Sequence, residues 1–416
     1  MSELKRTITL AQNTPIIHFQ HDHAGATLRA TEVKSKLDKF IIKDLARVSP
    51  DIFLEYRNLI NKYNFPLEDM VAAPYKISIK GQGNPDKYII KPTFGNNDDT
   101  PFSQRLEASF FGDSVVFQGV FFPQGVSVEV FSFVPRMAEF IEKVLPYLFA
   151  VNNFGCRQSK GFGCYSAIGE EYDSNWVRGV WERYSPIKGV YGLQNTPNGF
   201  QEQLKRILED YQILKSGRNH GGYLRSKLFE YALPMRWEKR KIKQFLYANQ
   251  AHFGKQLYSR RHSGSTPEDL HSFHMADPPE ANYDYRFIRA MLGLAEQHEY
   301  LVERKFFNQE LNKEEVKPDK RLKYVVSFEH QPSTRDVAKI ERFQSPLIYK
   351  IYRNQLFILV HEIPQRMFNQ PFRVKVALKG GSMPSRALNP DIFTPSNFNI
   401  LEFLDFKLGN GYIRYK

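Results

Sequence analysis

The sequence predicts an α+β fold with more than one domain. Three observations carry this: period-2 apolar segments and 3.6-period segments are interspersed along the chain. At 416 residues the chain is long enough for two or three domains. Its 42% apolar and 14% aromatic content can fill sizeable cores, which excludes general disorder.

Residues 4–19 alternate loosely through Ile8, Leu10, Ile16, Ile17 and Phe19 and predict a first strand with its continuation. After Gly25 the apolar spacing becomes helical at Val33, Leu37, Phe40 and Ile41, with Thr27 the expected N-cap. The other face of that helix carries Arg29, Lys34, Lys36, Lys39 and Lys43. Strands are expected over 74–80, 87–91, 105–111, 114–122 and 125–134, the last two joined by a turn at Pro123, Gln124 and Gly125. Helical spacing returns from Arg136 to Val151 through Met137, Ile141, Val144, Leu145 and Leu148. This order, followed by a glycine-rich loop, is consistent with a ferredoxin-like unit carrying extra hairpins.

A further amphipathic helix is expected through Phe200, Leu204, Ile207, Leu208, Tyr211 and Leu214. Ser, Gly, Pro and His make 259–282 a loop, and a helix is expected over 283–298 with Phe287, Ile288, Met291, Leu292 and Ala295 on one side. Glu310–Lys320 reads as a charged linker, before strands at 322–329, 345–352, 355–363 and 371–378 and a final segment Leu401–Tyr415. We divide the chain into residues 1–190, with the glycine-rich loop, and 191–416, with a basic helical region over 200–300.

The net charge of +13 favours a polyanionic partner, nucleic acid or an acidic membrane surface. The surplus is concentrated. Between Lys215 and Arg261 twelve basic residues, including Arg225, Lys227, Arg236, Lys239 and Arg240, face two acidic ones, Glu230 and Glu238. Eight aromatics lie among them, Trp237 included. Cations interleaved with flat rings suit single-stranded nucleic acid. The alternatives are a basic surface helix with its aromatics in the core, or a helix lying on anionic lipid. Bulky apolar positions broken by Pro234 argue against the lipid reading.

No secretory h-region opens the chain, and Val115–Val134 is too interrupted to span a bilayer. With two cysteines a disulfide framework is excluded, and a cytoplasmic protein without a membrane partner is expected.

The most distinctive stretch is Phe154-Gly155-Cys156-Arg157-Gln158-Ser159-Lys160-Gly161-Phe162-Gly163-Cys164. Its glycines permit close backbone approach, Arg157 and Lys160 supply charge, backbone N–H groups can bind phosphate, and Phe162 is placed to stack or wedge. It is neither a Walker loop nor a dinucleotide fingerprint. A turn without a ligand is the plainer reading. Cys156 and Cys164 lack a second ligand pair for zinc. His18, His21 and His23, with Asp22, read first as polar surface; a metal site, or a general base at His21 or His23, are the alternatives. Asp98-Asp99 reads as a solvated turn rather than a magnesium site. No cofactor, metal or catalytic constellation is assigned.

Thr14-Pro15-Ile16-Ile17, then Gly25-Ala26-Thr27-Leu28-Arg29-Ala30-Thr31-Glu32-Val33-Lys34, resembles the opening of RAMP-superfamily CRISPR proteins. Arg157-Gln158-Ser159-Lys160-Gly161-Phe162-Gly163 resembles the glycine-rich loop of that superfamily. Phe287-Ile288-Arg289-Ala290-Met291-Leu292-Gly293-Leu294 and Arg342-Phe343-Gln344-Ser345-Pro346-Leu347 are similar to segments of the Cmr-one subunit family of type III-B CRISPR effectors. The sequence departs from the family pattern at Ser35 and at Leu37-Asp38-Lys39-Phe40. The resemblance implies two ferredoxin-like (RAMP/RRM-like) domains in one chain with helical insertions. It implies a non-catalytic, RNA-binding subunit that contacts the guide RNA 3′ region and helps capture target RNA, beside other Cmr-type subunits. The expected RNA contacts are Arg29, Lys34, Lys36, Arg157, Lys160, Gly161, Phe162, Arg225, Lys227, Arg236, Lys239 and Arg240. The alternative is a metal-independent RAMP endoribonuclease that processes guide precursors.

Overall fold

The computed structural model describes residues 4–17, 27–63, 72–91, 94, 98–107, 117–217, 224–232, 237–249, 285–294, 297–308, 312–332, 338–379, 385–408 and 411–416. Two compact units form. The first is Met1–Gln212 with Leu347–Glu362 and Leu404–Lys416; the second is Ile213–Pro346 with Ile363–Phe403. Residue 190, where the sequence analysis divides the chain, lies inside a strand of the first unit.

The first unit opens with strands β1 (Lys5–Gln12) and β2 (Ile16–Ile17). Helix α1 follows over Ala30–Lys43. Its N-cap is Arg29, with no side-chain cap bond, so Thr27 does not cap it as expected. The spacing read from sequence holds, because Val33, Leu37, Phe40 and Ile41 are all buried. Two further helices, α2 (Leu45–Val48) and α3 (Pro50–Lys62), were not anticipated. Next come β3 (Lys76–Gly81), β4 (Asp86–Lys91), β5 (Arg105–Glu107), β6 (Phe117–Phe121) and β7 (Val126–Phe131). The turn expected at 123–125 joins β6 to β7, with Gly125 at φ 82°. Helix α4 (Met137–Val151) completes the run.

After α4 come the glycine-rich loop and β8 (Tyr165–Ala167), giving a sheet of order β3-β7-β1-β8. Leu10 faces Val126 and Ile8 faces Val128 across β1 and β7, while Ile77 and Ile79 of β3 face Val130 and Val128. These apolar side chains share one core with α1 and α4. Lysines, threonines and serines, with Glu129 and Phe131, occupy the alternate positions, on the opposite face. A second sheet, β2-β6-β4-β5, is antiparallel except for the β4–β5 pair.

Helix α5 (Ser174–Arg183), strand β9 (Ile187–Leu193) and helix α6 (Phe200–Lys215) follow. The second unit then holds α7 (Lys227–Tyr231), α8 (Glu238–Ala248) and a 3-10 turn at Ile288–Leu292. The helix expected over 283–298 is therefore absent among the described residues there, and Gln297–Asn308 is strand β10. Gly293, at φ 107°, ends the turn, and a Cβ there would stand 3.2 Å from the Ser345 backbone nitrogen, so the close approach favours glycine. The expected linker 310–320 is corrected as well: β11 runs over Lys313–His330 and pairs with β10. Cross-strand hydrogen bonds hold a charged segment that by composition alone looks like linker.

The chain then returns to the first unit with β12 (Leu347–Tyr352) and β13 (Gln355–His361). The second unit gains β14 (Pro371–Leu378) and β15 (Arg386–Phe393), completing a sheet of order β10-β11-β14-β15. Helix α9 (Ile400–Lys407) and β16 (Tyr412–Arg414) end the chain, and the first unit's third sheet is β12-β13-β9-β16. The α+β class is thus observed in both units. The loop expected at 259–282 lies outside the described residues.

Candidate nucleic-acid interface

The glycine-rich loop joins the end of α4 to β8 and is stapled to the strand before α1. Cys156 N–H donates to the Ile17 carbonyl at 2.8 Å, Gly163 N–H to Pro15 at 3.0 Å, and Cys164 N–H to Thr14 Oγ1 at 2.9 Å. Gly155 has φ 75°, and a Cβ there would stand 2.6 Å from the Ile17 oxygen. Gly161 has φ 80°, and its Cβ would meet Ile207 Cδ1 of α6 at 2.5 Å. Two of the motif glycines therefore serve close packing and a left-handed backbone. Asn153 Nδ2 donates to the carbonyls of Gln158, at 2.7 Å, and Tyr349, at 2.9 Å, tying the loop to β12. The ammonium of fully buried Lys350 donates to Phe149 O at 2.7 Å and Asn152 O at 2.8 Å, satisfying carbonyls at the end of α4.

Helix α1 meets this loop through Glu32 and Lys36. Glu32 accepts from Gly155 N–H and from Gln158 Nε2 at 3.0 Å. Lys36 Nζ pairs with Glu32 at 3.0 Å and donates to Asn153 O at 2.7 Å and Gln158 Oε1 at 2.9 Å. Burial lowers its pKa, against the opposing pull of Glu32. Burial likewise lowers the pKa of Arg157, while Cys156 and Tyr211 act the other way. Burial raises the Cys156 thiol, with Arg157 and Arg29 opposing, so both guanidiniums lie within electrostatic range of it. Lys160 sits over the ring of Tyr211.

Arg29, Lys36, Arg157, Lys160 and Gly161 are therefore gathered around one loop, where Glu32 is the carboxylate. Lys34 is not among them. It pairs with Asp38 at 2.9 Å, donates to Ala73 O at 3.0 Å and lies 3.9 Å from the Tyr75 ring centroid. Phe162 is 1% exposed, so the ring expected to stack or wedge is core. Sequence reading passed over Glu32 and Gln158. The signal was an acid in the first turn of α1, set among its cations.

In the second unit the basic stretch differentiates. The Arg225 guanidinium lies 4.9 Å from the Phe229 centroid, Phe229 is 4.9 Å from Trp237, and Lys239 is 5.9 Å from Trp237. These four form a run of cation, ring, ring and cation, in which the aromatics already have partners. Lys227 pairs with Glu230 at 3.1 Å, and Arg240 is half-buried at the start of α8. Lys215 is turned inward: it donates to the Leu292 and Gly293 carbonyls, at 3.3 and 2.6 Å, and burial pushes its pKa down to about 7. Glu238 is fully buried, accepts from Trp237 Nε1 at 2.6 Å and Ile288 N–H at 3.3 Å, and is paired with Arg289. Arg236 lies outside the described residues.

His18, His21 and His23 also lie outside the described residues. Cys156 and Cys164 are free thiols, the second fully buried. Among the described residues no group of three or more His, Cys, Asp or Glu converges to hold a metal. Asp98 pairs with Lys91 at 2.6 Å and accepts from Thr100 N–H at 3.0 Å, which holds its pKa down. No helix among the described residues is long and apolar enough to cross a membrane.

The two C-terminal motifs meet in space. Leu294 N–H donates to the Phe343 carbonyl at 3.0 Å, and Gly293 abuts Ser345. A family model described as the Cmr1 N-terminal domain matches residues 3–218, and one described as the Cmr1 C-terminal domain matches residues 223–413. Together they cover nearly the whole chain, which belongs to the Cmr1 family and is a subunit of the Cmr CRISPR complex. No curated protein matches it.

Proposed function

We propose that this Cmr1-family chain is a non-catalytic RNA-binding subunit, contacting the 3′ region of the guide RNA and helping capture target RNA. The observation that carries the reading is the convergence of Arg29, Lys36 and Arg157 on a loop whose positive-φ backbone is locked by Glu32, Gln158 and Asn153, while the ammonium of Lys160, expected from sequence to meet RNA, is buried over the Tyr211 ring. A preformed, cationic concentration of side chains attracts phosphate without ordering cost at the moment of binding. In the second unit Arg225, Lys239 and Arg240 supply further positive charge, with Lys227 half-neutralised by Glu230. Sequence recognition would reside in guide–target pairing, with the protein holding backbone and shape.

The test is a salt titration of single-stranded RNA binding. With about five phosphates neutralised, the log–log slope is expected near −3.5, at roughly −0.7 per phosphate. A salt-independent affinity would overturn the reading. Location in the cytoplasm, beside the other Cmr subunits, belongs to the same proposal.

A further inference from the structure

We infer that the open face of the sheet β3-β7-β1-β8 is a second RNA surface, one that seats an unpaired base on Phe131 and Phe133 between lysines. This rests on the reading that the chain holds RNA, and adds a surface which that reading does not use.

The strand register sets out the face row by row. In the first row Lys76 of β3 and Lys5 of β1 both stand opposite Phe131 of β7. In the second, Ser78 and Thr7 flank Glu129. In the third, Lys80 and Thr9 flank Ser127. Lys76, Ser78 and Lys80 are exposed along β3, the edge of the sheet. Alternate residues of a strand are about 6.7 Å apart, so this edge is a line of cation, hydroxyl, cation about 13 Å long.

Phe133 follows β7 and is 79% exposed. Its ring stands edge-on to Phe131, at 4.8 Å and 85°. Folding gains little from leaving such a ring in water. An aromatic pair within a row of cations offers a base one flat face and offers its flanking phosphates the neighbouring ammoniums. Three lysines face one carboxylate here, and Glu129 is 2.6 Å from Lys5, which leaves Lys76 and Lys80 to meet phosphate. Edge lysines also discourage strand addition. That accounts for Lys76 and Lys80 but not for the exposed ring beside them. Stacking needs an unpaired base, which makes the ligand single-stranded.

The test uses the full chain and a labelled oligouridylate, comparing wild type with Phe133→Ala and with Lys76→Ala/Lys80→Ala. The substituted positions are exposed, and circular dichroism checks that the fold is kept. Phe133→Ala is expected to weaken binding about tenfold, in the range of one lost base stack. The double lysine variant is expected to make the salt slope less negative by about 1.4, at roughly 0.7 per phosphate. Ultraviolet crosslinks to Phe131 and Phe133 should vanish in Phe133→Ala while those in 154–164 persist. If both variants bind with wild-type affinity and slope, the platform is wrong and the loop reading stands. If wild type fails to bind at all, both fall. Variants that bind RNA normally yet no longer co-purify with Cmr subunits would assign the face to a protein partner and overturn the proposal.

Discussion

Glu238 and Arg289 form an ion pair in the second unit, where Glu238 is fully buried and Arg289 is 12% exposed. Arg289 also donates to the Tyr300 hydroxyl at 2.7 Å, and Glu238 holds Trp237 Nε1 and Ile288 N–H. One carboxylate thereby fixes the start of α8, the 3-10 turn and the β10 tyrosine.

Removing one partner of such a pair strands the other charge. Glu238→Ala is expected to destabilise the chain by about 3–5 kcal/mol, read as a lower urea midpoint. A change within about 0.5 kcal/mol would show that the pair contributes nothing.

Lys215 provides a pH signature. It titrates near 7 when folded and near 10.4 when unfolded, so folding releases a proton between those values. Stability from this group therefore rises with pH from about 7 to 10.4 and is flat below. Lys215→Met should flatten that rise in urea titrations at successive pH values. An unchanged profile would place the ammonium in solvent. Lys350, pushed down to about 8 by burial, should behave alike over its own narrower interval.

Gly161 and Arg157 separate packing from binding. Gly161→Ala puts a Cβ against Ile207 at a positive φ and is expected to cost about 1–3 kcal/mol of stability. Arg157→Ala leaves the loop's main-chain bonds in place. It should make the salt slope of RNA binding less negative by about 0.7 with little change in melting. Equal loss of stability in both variants would argue that Arg157 is structural.

Guide-precursor RNA incubated with the purified chain in EDTA is expected to be recovered intact. Cleavage that is abolished by His21→Ala or His23→Ala would instead establish the endoribonuclease alternative.

Legibility followed the range of the forces involved. The 3.6-period spacing of α1 and α4 and the alternation of β1, β3 and β7 were readable, because each element buries its own repeating face. The segment 283–298 misled, since Phe287, Ile288, Met291 and Leu292 are buried as helical spacing suggests, yet Gly293 and Leu294 are claimed by Ser345 and Phe343 about 50 residues away. The charged segment 313–320 became strand through pairing with β10, which local composition does not encode.

By itself the sequence determined the α+β class, the concentration of positive charge and the motifs that mark the family, all of which are properties of neighbouring residues. Tertiary structure alone decided which cations remain near the surface. It turned Lys215 and Lys350 inward onto carbonyls, engaged Lys34 with Asp38, buried Phe162 and left Phe133 in water. The physical reason is that a charge or a ring is identical in every chain that carries it, whereas its desolvation and its partners are set by segments distant in sequence.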